Sequence, residues 1–323
     1  MKLDVAILGA SGYGGGELLR WLAQHPNVAS VRGTSRSLGG QPFAEAHPNL
    51  RGVVTGNFEK EVAWREFSQA EQPVIFSALP HGELKKTFAA LEEEISERVL
   101  LLDLSADFRA DKEFVYGMPE WNRAALAGVK RIACAGCFAT ALQLALLPLR
   151  GQEVGFIAAS AVTGSSGSGT VAAPGTHHPT RAHDFRAYKA LAHQHVAEVE
   201  MAMAANEIRG QLAFVPESGP FVRGIFATVQ FQIPAGMDLA ERMAATFRDC
   251  PFVRLVEGSP RVAAVVGSNF ADVGVAADGR SGAIMVSLDN LGKGMASQAV
   301  QSMNIALGFP ETMGLWQAGH YPG

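Results

Sequence analysis

The sequence predicts an α/β protein built on a Rossmann-type doubly wound parallel sheet, followed by a second domain of α+β type. Three observations predict this fold class. Strands and helices alternate in the first half of the chain, a glycine-rich loop joins the first strand to the first helix, and longer alternating apolar runs appear after about residue 150. At 323 residues and 48 % hydrophobic content, the chain is long for a single core, which favours two domains.

The first half of the chain repeats a pattern of short apolar strands and helices. In chain order, the predicted elements are a strand at 3–8, a helix at 14–24, strands at 28–33 and 73–77, a helix at 83–95 and a strand at 99–104. Strands separated by helices in this way predict βαβ units, and these in turn predict a parallel sheet.

The second half of the chain has a different pattern of apolar and polar residues. The runs Phe226–Ile233 and Gly282–Ser287 alternate apolar and polar residues, which is typical of antiparallel strands with one face covered by helices. Ahead of them, the segment 139–149 reads as a largely buried helix. A mainly antiparallel sheet is therefore predicted for the second domain.

Composition and charge limit the class of protein and its partners. A net charge of −4 and an isoelectric point near 6.1 give no basic surface for nucleic acid. Three cysteines are too few for a disulfide framework, and we expect a cytoplasmic protein. The N-terminal residues do not resemble a signal peptide, and no apolar run is long enough to span a bilayer, so no membrane partner is expected.

Cys137 is the candidate nucleophile. It follows Gly136, which allows a sharp turn, and it precedes the helical pattern that begins at Ala139. A thiol in the first turn of a helix feels the positive end of the helix dipole, which favours the thiolate. The alternative interpretation is a small cysteine that packs in the core without reacting.

The glycine-rich loop predicts a dinucleotide site. Glycines after the first strand allow the backbone to approach a pyrophosphate, which the helix N-terminus then binds. The second strand ends in hydroxyls and a guanidinium rather than an acid, which favours NADP(H) over NAD. The cofactor residues predicted in these two loops are Gly9, Ser11, Gly12, Tyr13, Gly14, Gly15, Thr34, Ser35, Arg36 and Ser37. A flexible glycine turn without a ligand is the alternative.

His195 is the candidate acid or base. Glu198 lies three residues further on, so a helix would place both side chains on one face and let the carboxylate orient the imidazole. His193 would point elsewhere if this segment were helical. The His-x-His spacing also resembles a metal site, but there is no matching cluster of cysteines or acids, so no metal is predicted.

A nicotinamide cofactor together with an activated cysteine suits the reduction of an acyl group. The thiolate forms a thioester, and hydride transfer then releases an aldehyde. Two alternatives stay open from the residues alone: a cofactor-binding sensor without turnover, and an oxidoreductase that transfers hydride without a covalent step.

Six motifs carry a resemblance to a known family. They are Gly9–Tyr13, His47–Gly52, Ala78–Gly82, Asp103–Arg109, Tyr116–Glu120 and Asp289–Gly294. In this order, and over essentially the whole chain, they resemble the N-acetyl-γ-glutamyl-phosphate reductases of type 1. The resemblance implies NADPH-dependent conversion of N-acetyl-γ-glutamyl phosphate to N-acetylglutamate semialdehyde and inorganic phosphate, in arginine biosynthesis.

The resemblance also implies an aspartate-semialdehyde-dehydrogenase-like fold. We expect residues 1–137 and 295–323 to form the NADP-binding domain, with a final helix at Met295–Leu307, and residues 138–294 to form the catalytic and dimerisation domain. Cys137 is then the nucleophile and His195 the acid or base. A homodimer or homotetramer is implied.

Two departures from the family pattern concern the substrate. The usual Asn-Pro-Gly-Cys is here Cys134-Ala135-Gly136-Cys137, and the usual Gly-His-Arg-His is Ala192-His193-Gln194-His195. The first departure and the segment His177–Arg181 are similar to a branch that reduces an aminoadipyl phosphate held on a small acidic carrier protein, in lysine biosynthesis. That reaction, or a bifunctional enzyme, is the alternative.

Several further side chains are assigned roles as hypotheses. The substrate residues predicted are Arg109, Ser105, His178, Arg181 and His193, and the additional cofactor residues are Ser77, Leu79, Pro80, Ser166, Gly167 and Asn290. The arginines bind a carboxylate or phosphate by forked hydrogen bonds in this hypothesis, whereas a solvated surface arginine is the alternative. The pair Cys134 and Cys137 also allows a regulatory disulfide.

Overall fold

The computed structural model describes residues 1–321, which divide into two compact units. Unit 1 comprises Met1–Ala135 and Met295–Trp316, and unit 2 comprises Gly136–Gly294 together with the chain from Gln317 onwards. The division falls just ahead of Cys137, so this residue belongs to unit 2, whereas the sequence boundary placed it at the end of the first domain. The segment after Trp316 likewise belongs to unit 2.

Unit 1 contains a parallel sheet of seven strands. The strands are β1 (Leu3–Leu8), β2 (Val28–Thr34), β3 (Phe58–Glu59), β4 (Gln72–Ser77), β5 (Leu100–Asp103), β6 (Val115–Gly117) and β7 (Arg131–Cys134). Their order in the sheet is β3-β2-β1-β4-β5-β7-β6, and every pairing is parallel. The chain runs outward from β1 in both directions, so the sheet is doubly wound and its switch point lies between β1 and β4.

Helices connect these strands. They are α1 (Tyr13–Leu22), α2 (Phe43–Ala46), α3 (Trp64–Phe67), α4 (Glu83–Glu94) and α5 (Pro119–Leu126). The predicted helix at 14–24 thus begins one residue earlier and ends two residues earlier. Its buried residues Leu18, Leu19 and Leu22 belong to the apolar face that the sequence pattern predicts.

Unit 2 contains a mixed sheet of seven strands. The strands are β8 (Glu153–Thr163), β9 (Arg186–Ala187), β10 (Arg209–Ser218), β11 (Ile225–Gln232), β12 (Val253–Leu255), β13 (Ala271–Ala277) and β14 (Ser281–Leu288), in the order β12-β13-β14-β11-β8-β10-β9. Four of the pairings are antiparallel and two are parallel. The predicted fold class is therefore confirmed in both units.

Four helices accompany this sheet. They are α6 (Cys137–Leu146), α7 (His178–Arg181), α8 (His195–Ala205) and α9 (Leu239–Phe247). The predicted helix at 139–149 begins two residues earlier, and a 3₁₀ turn at Leu147–Leu149 replaces its last turn. Pro148 explains this change because its backbone nitrogen has no hydrogen to donate within an α-helix.

The last helix, α10 (Ser297–Ala306), packs within unit 1 against α1 and α5. The predicted helix at Met295–Leu307 is wrong at its start, because Gly292–Ala296 forms a π-helical turn instead. α10 is buried nearly all round, and Arg123 of α5 pairs with Glu311 just beyond it at 2.9 Å. None of the helices formed by residues 1–321 has both the length and the apolar character that crossing a membrane requires.

Candidate active site

Cys137 is the first residue of α6. Gly136 is the N-cap, and the first hydrogen bond of the helix runs from the Thr140 amide to the Gly136 carbonyl over 2.7 Å. Every other residue of α6 is buried, whereas Cys137 is half-buried. The amide dipoles of the helix point their positive ends towards this thiol. The exposed end of an otherwise buried helix therefore carries the cysteine, which disfavours the interpretation as a packed core thiol.

Glu198 connects the histidine helix to the cysteine helix. Its Oε1 accepts a hydrogen bond of 2.8 Å from the amide of Gly136, and the contact is buried. Glu198 lies in the first turn of α8, whose first residue is His195. Sequence reasoning assigned this carboxylate to the imidazole of His195, and that role stays a prediction. The contact with Gly136 gives Glu198 a second role, since it fixes the residue before the nucleophile.

His195 and His193 form an aromatic cluster with Phe138, the residue after the cysteine. The ring of Phe138 lies 6.1 Å from that of His195 and 5.5 Å from that of His193. The two imidazoles are 4.7 Å apart. His193 was expected to point elsewhere if its segment were helical, but α8 begins only at His195, so His193 lies outside the helix and its ring meets that of His195. Both histidines are buried.

His193 stabilises the start of α8. Its Nδ1 accepts a hydrogen bond of 3.2 Å from the backbone amide of His195, in the manner of a helix cap. Burial, and to a smaller extent the charge of Lys189, lower the pKa of His193 to about 4. The ring is therefore neutral near pH 7, and Nε2 carries its proton because Nδ1 accepts.

Tyr188 is a residue that sequence reasoning missed. Its ring lies 5.9 Å from that of His193, and its amide bonds to the carbonyl of Pro216 on β10. Burial raises the pKa of Tyr188 to about 12, and the charge of Cys137 acts in the same direction. The phenol therefore keeps its proton and lies within electrostatic range of the thiol. A single tyrosine before the His-x-His segment gave no signal in the sequence.

Gly294 packs directly against the nucleophile. A Cβ at this position would lie 2.8 Å from Cβ of Cys137 and 3.2 Å from the carbonyl oxygen of Asp289. The π-helical turn that contains Gly294 closes with a hydrogen bond of 2.8 Å from its amide to that same carbonyl. A residue with a side chain does not fit here. The sequence motif that contains Gly294 was visible, but its contact with Cys137 was not.

Asp289 holds this segment in place. Its buried carboxylate accepts hydrogen bonds from the amides of Gly267, Leu291 and Gly292, and it pairs with Arg223 at 2.8 Å. A buried carboxylate satisfied in this way is rigid. Asp289 and Arg223 are thus structural members of the site that sequence reasoning did not identify.

Asn290 was predicted to bind the cofactor, and the structure shows it bound to two loops of unit 2. Its Oδ1 accepts from the amide of Gly224 at 2.7 Å, and its Nδ2 donates to Ser166 Oγ at 2.9 Å. Ser166 is buried in a 3₁₀ turn, and Gly167 beside it is exposed. The structure therefore brings Asn290, Ser166 and Gly167 together, while their contact with a cofactor stays a prediction.

Two of the three substrate residues predicted on unit 2 lie on α7, and the third, His193, lies just before α8, where a substrate role stays a prediction. His178 is the exposed first residue of α7, and Arg181 is its last. The guanidinium of Arg181 donates to Ser168 Oγ at 3.4 Å, so it contacts the loop that carries Ser166. His178 and Arg181 remain predicted substrate residues.

Two other predicted substrate residues lie within unit 1 and hydrogen-bond to other residues of that unit. Arg109 donates to the carbonyls of Cys134 and Leu104 at 2.9 and 3.3 Å. Ser105 donates to the carboxylate of Asp103 at 2.7 Å and is almost fully buried. Burial raises the pKa of Asp103, and hydrogen bonds from Ser105 oppose that shift. These contacts give both residues a structural role, and a substrate role stays a prediction.

A cavity of about 740 Å³ opens at the carboxyl ends of the strands in unit 1. It lies at the switch point, where doubly wound sheets bind nucleotides. Eight of the predicted cofactor residues line it, namely Gly9, Ser11, Thr34, Ser35, Arg36, Ser37, Leu79 and Pro80. One face of α4 forms the opposite wall through Glu83, Thr87 and Leu91.

The glycines of the loop allow the backbone to fold closely here. Gly9 has a φ of +75°, and a Cβ on it would lie 2.9 Å from the carbonyl oxygen of Ala78. A Cβ on Gly15 would lie 2.5 Å from Ala10. The hydroxyl of Ser35 donates to that of Ser11 at 2.9 Å and so joins the two loops. This cradle fits a dinucleotide, since the glycine loop and several hydroxyl-bearing side chains line a cavity large enough to hold one.

Five predicted cofactor residues of unit 1 lie outside the cavity wall, in addition to the three on unit 2. Gly12, Tyr13, Gly14 and Gly15 form the start of α1, and Ser77 is fully buried at the end of β4. Lys60, Glu61 and Trp64 line the cavity without having been predicted. They follow or flank β3, a strand of two residues, which is too short to give a sequence signal.

The cysteines, histidines and acids of the chain bear on metal binding and disulfide formation. Among residues 1–321, no group of three or more histidine, cysteine, aspartate or glutamate side chains has an arrangement that would hold a metal ion. Cys134, Cys137 and Cys250 are all outside disulfide bonds. Burial raises the pKa of the Cys134 thiol, and the nearby charge of Asp103 raises it further, so Cys134 is a poor thiolate.

Comparisons with known protein families agree with the two units. Residues 4–129 match the family described as semialdehyde dehydrogenase, NAD binding domain. Residues 137–290 match the family described as semialdehyde dehydrogenase, dimerisation domain. The fold is also that of solved aspartate semialdehyde dehydrogenases. The enzyme II from Vibrio cholerae in complex with ASA has a TM-score of 0.74 at 20 % identity, covering 94 % of this chain and 98 % of that one. The Candida albicans enzyme with NADP has a TM-score of 0.65 at 14 % identity, covering 93 % and 98 %.

Curated relatives are similar over their full length. An N-acetyl-gamma-glutamyl-phosphate reductase from Rhodospirillum rubrum is 38 % identical, covering 99 % of each chain. A LysW-linked L-2-aminoadipate 6-phosphate reductase from Deinococcus radiodurans is 36 % identical, also covering 99 % of each. The nucleotide cavity and these matches define a dinucleotide-dependent oxidoreductase. The chain belongs to the semialdehyde dehydrogenase family, in the group that contains the N-acetyl-γ-glutamyl-phosphate reductases and the aminoadipate phosphate reductases.

Proposed function

We propose that the protein reduces N-acetyl-γ-glutamyl phosphate to N-acetylglutamate semialdehyde, with NADPH as reductant and a thioester on Cys137 as intermediate. The observation that carries this proposal is the buried hydrogen bond from the Gly136 amide to Glu198. It joins the first turn of the His195 helix to the N-cap of the cysteine helix, as a nucleophile and its base require. The relatives with this name in arginine biosynthesis support the substrate.

The residues of unit 1 fit an NADP(H) molecule. Ser11 offers a hydroxyl to the pyrophosphate beside the close turn at Gly9, while Arg36 and its neighbouring serines suit a 2′-phosphate. The bound cofactor supplies a hydride to the carbonyl carbon of the thioester. NADP specificity is proposed from Arg36 and from the absence of an acid at the end of β2.

Cys137 carries out the covalent steps. Its thiolate attacks the acyl carbonyl carbon, a C–S bond forms, and the C–O bond to phosphate breaks with its electron pair on the phosphate. After reduction, the oxyanion collapses, the C–S bond breaks, and the thiolate and the aldehyde are released. The dipole of α6 stabilises the thiolate at both points.

His195 moves the proton in this scheme. It accepts the thiol proton of Cys137 and passes it to the departing phosphate, so that the thiolate forms without a free hydroxide ion. His193 stays neutral beside it and adds no charge to the site at neutral pH. Glu198 holds Gly136 so that the thiol keeps its position during both steps.

Phosphate-dependent reduction of NADP by the purified protein tests the proposal. N-acetylglutamate semialdehyde and carrier-bound aminoadipate semialdehyde are compared as substrates. Cys137→Ser is expected to lose turnover, and Cys250→Ser, a buried thiol in the same unit, serves as the matched control. Turnover only with the acetylated compound supports arginine biosynthesis. Activity with neither compound contradicts the proposal and favours a cofactor-binding sensor.

A second candidate is the reduction of an aminoadipyl phosphate carried on a small acidic protein, in lysine biosynthesis. The sequence Cys134-Ala135-Gly136-Cys137 and the similarity to the Deinococcus radiodurans enzyme favour it. The two acyl chains differ by one methylene, which is worth about 0.8 kcal/mol of burial. Such a difference also suits a bifunctional enzyme.

We propose a homodimer or homotetramer in the cytoplasm, formed through the sheet of unit 2. One face of this sheet is open to solvent: Phe156 is 57 % exposed, and Val162, Phe226 and Met285 on the same face are half-buried. Light scattering tests this, with Met285→Glu expected to give monomers. An unchanged mass for that variant contradicts the proposed interface.

A further inference from the structure

Two positively charged side chains line the cavity of unit 1 among the lining residues that the structure describes. They are Arg36, which the sequence predicts, and Lys60, which it does not. Both side chains are exposed to solvent at the cavity. A second cation at this wall favours the binding of an anionic group such as a phosphate.

The position of Lys60 follows from the pairing of β2 with β3. Thr34 lies opposite Glu59 in this parallel pair, and the amide of Ser35 donates to the Glu59 carbonyl at 2.9 Å. Lys60 is therefore the first residue after β3, level with the first residues after β2. The pairing of β2 with β3 therefore places Lys60 and Arg36 at the same edge of the cavity.

Gly39 leaves space for the aliphatic part of the Lys60 side chain at that edge. A Cβ on Gly39 would overlap Cγ of Lys60, so the absence of a side chain lets the lysine stem lie against the loop. The same loop carries Ser35, Arg36 and Ser37. Lys60 thus packs on the segment that the sequence assigns to the adenosine ribose.

Arg36 is partly neutralised. Its guanidinium lies 3.9 Å from the carboxylate of Glu83, which also pairs with Lys86 at 2.6 Å. Glu61 and Glu94 add further negative charge to the cavity wall. A phosphate carries up to two negative charges, so a single compensated arginine is a weak site for it.

We propose that Lys60 is a second cation for the 2′-phosphate of the cofactor and that it determines the preference for NADP over NAD. This inference rests on the proposed function, and it goes beyond that function because it assigns specificity to a residue outside the glycine loop and the β2 loop. Lys60 and Arg36 act from two neighbouring strands on one group.

Calorimetric titration tests the inference without turnover. NADP⁺ and NAD⁺ are titrated into the wild type and into Lys60→Ala, Lys60→Arg and Arg36→Ala. Lys112→Ala, an exposed lysine of unit 1 outside the cavity wall, is the matched control. Loss of one charged hydrogen bond predicts that Lys60→Ala weakens NADP⁺ binding about tenfold and changes NAD⁺ binding by less than about twofold. Lys60→Arg retains the preference.

The outcomes separate this inference from the proposed function. If the wild type prefers NADP⁺ and Lys60→Ala keeps the same preference, the role of Lys60 is overturned and the proposed function is not. Equal weakening of NADP⁺ and NAD⁺ binding in Lys60→Ala also overturns that role, because the lysine would then support the structure of the cavity wall and not contact the 2′-phosphate. A wild type that binds neither dinucleotide overturns the proposed function and this inference with it.

Discussion

Glu198 accepts a buried hydrogen bond from the amide of Gly136, and this contact joins the helix of the candidate base to the residue before the candidate nucleophile. The contact lies within one compact unit, to which both helices belong. Glu198 lies in the first turn of α8, and its carboxylate positions the N-cap of α6.

The first prediction concerns this hydrogen bond. Glu198→Ala leaves the buried amide of Gly136 unsatisfied, so we expect at least about a tenfold loss of kcat and a lower melting temperature. Glu198→Gln keeps an oxygen that accepts the bond and should retain most of the stability. Steady-state kinetics and thermal unfolding measure both effects. Equal stability losses in the two variants would show that the charge, and not the hydrogen bond, matters.

The second prediction concerns Gly294. In Gly294→Ala the new methyl would press on Cβ of Cys137, and overpacking of this kind costs about 1 to 3 kcal/mol. We expect turnover to fall strongly while NADP⁺ binding is unchanged, since the glycine lies in unit 2. Gly175→Ala is the control, because only the flexible end of Arg186 lies near its new methyl. Wild-type turnover in Gly294→Ala would disprove the close packing.

The third prediction concerns the pH dependence of stability. The pKa of His193 is lowered from 6.5 to about 4 in the folded protein. Between these two pH values the unfolded chain binds a proton at this position and the folded chain does not, so stability falls as pH falls through this window. Above pH 6.5 the contribution is constant.

Urea unfolding at several pH values measures this effect. His193→Asn keeps an oxygen for the His195 amide and should flatten the slope between pH 4 and pH 6.5. His178→Asn, an exposed histidine, should leave the slope unchanged. An unaltered slope in His193→Asn would contradict the assignment.

The fourth prediction concerns the thiols. Cys137→Ser should lose nearly all turnover and keep NADP⁺ affinity, because the serine hydroxyl is not ionised at the head of the helix. Cys250→Ser should keep both. Alkylation by iodoacetamide should likewise abolish turnover in the wild type and react at Cys137. Near-normal turnover in Cys137→Ser would indicate hydride transfer without a covalent step.

Much of the fold follows from local patterns in the sequence. β1, the glycine loop and α1 are predictable because their periodicity and turn chemistry lie within about twenty residues of each other. Cys137 is predictable as the start of a helix for the same reason. Such signals need no knowledge of the distant chain.

The residues that sequence reasoning missed depend on contacts between distant segments. Lys60 reaches the cavity only because a strand of two residues pairs with β2. Gly294 meets Cys137 across more than 150 positions, and the π-helical turn that enables this contact has no sequence signature. His193, which was predicted as a substrate residue, joins the cluster because α8 starts after it and not before it. Long-range pairing decides the positions of Lys60 and Gly294, whereas the start of a helix decides that of His193.

Intact-mass spectrometry of the enzyme mixed with N-acetyl-γ-glutamyl phosphate, without NADPH, tests the covalent mechanism most directly. The expected result is a mass increase equal to one N-acetylglutamyl group, located on Cys137, removed by hydroxylamine and absent in Cys137→Ser. An unmodified wild-type enzyme that nevertheless reduces the acyl phosphate when NADPH is added would contradict the thioester intermediate.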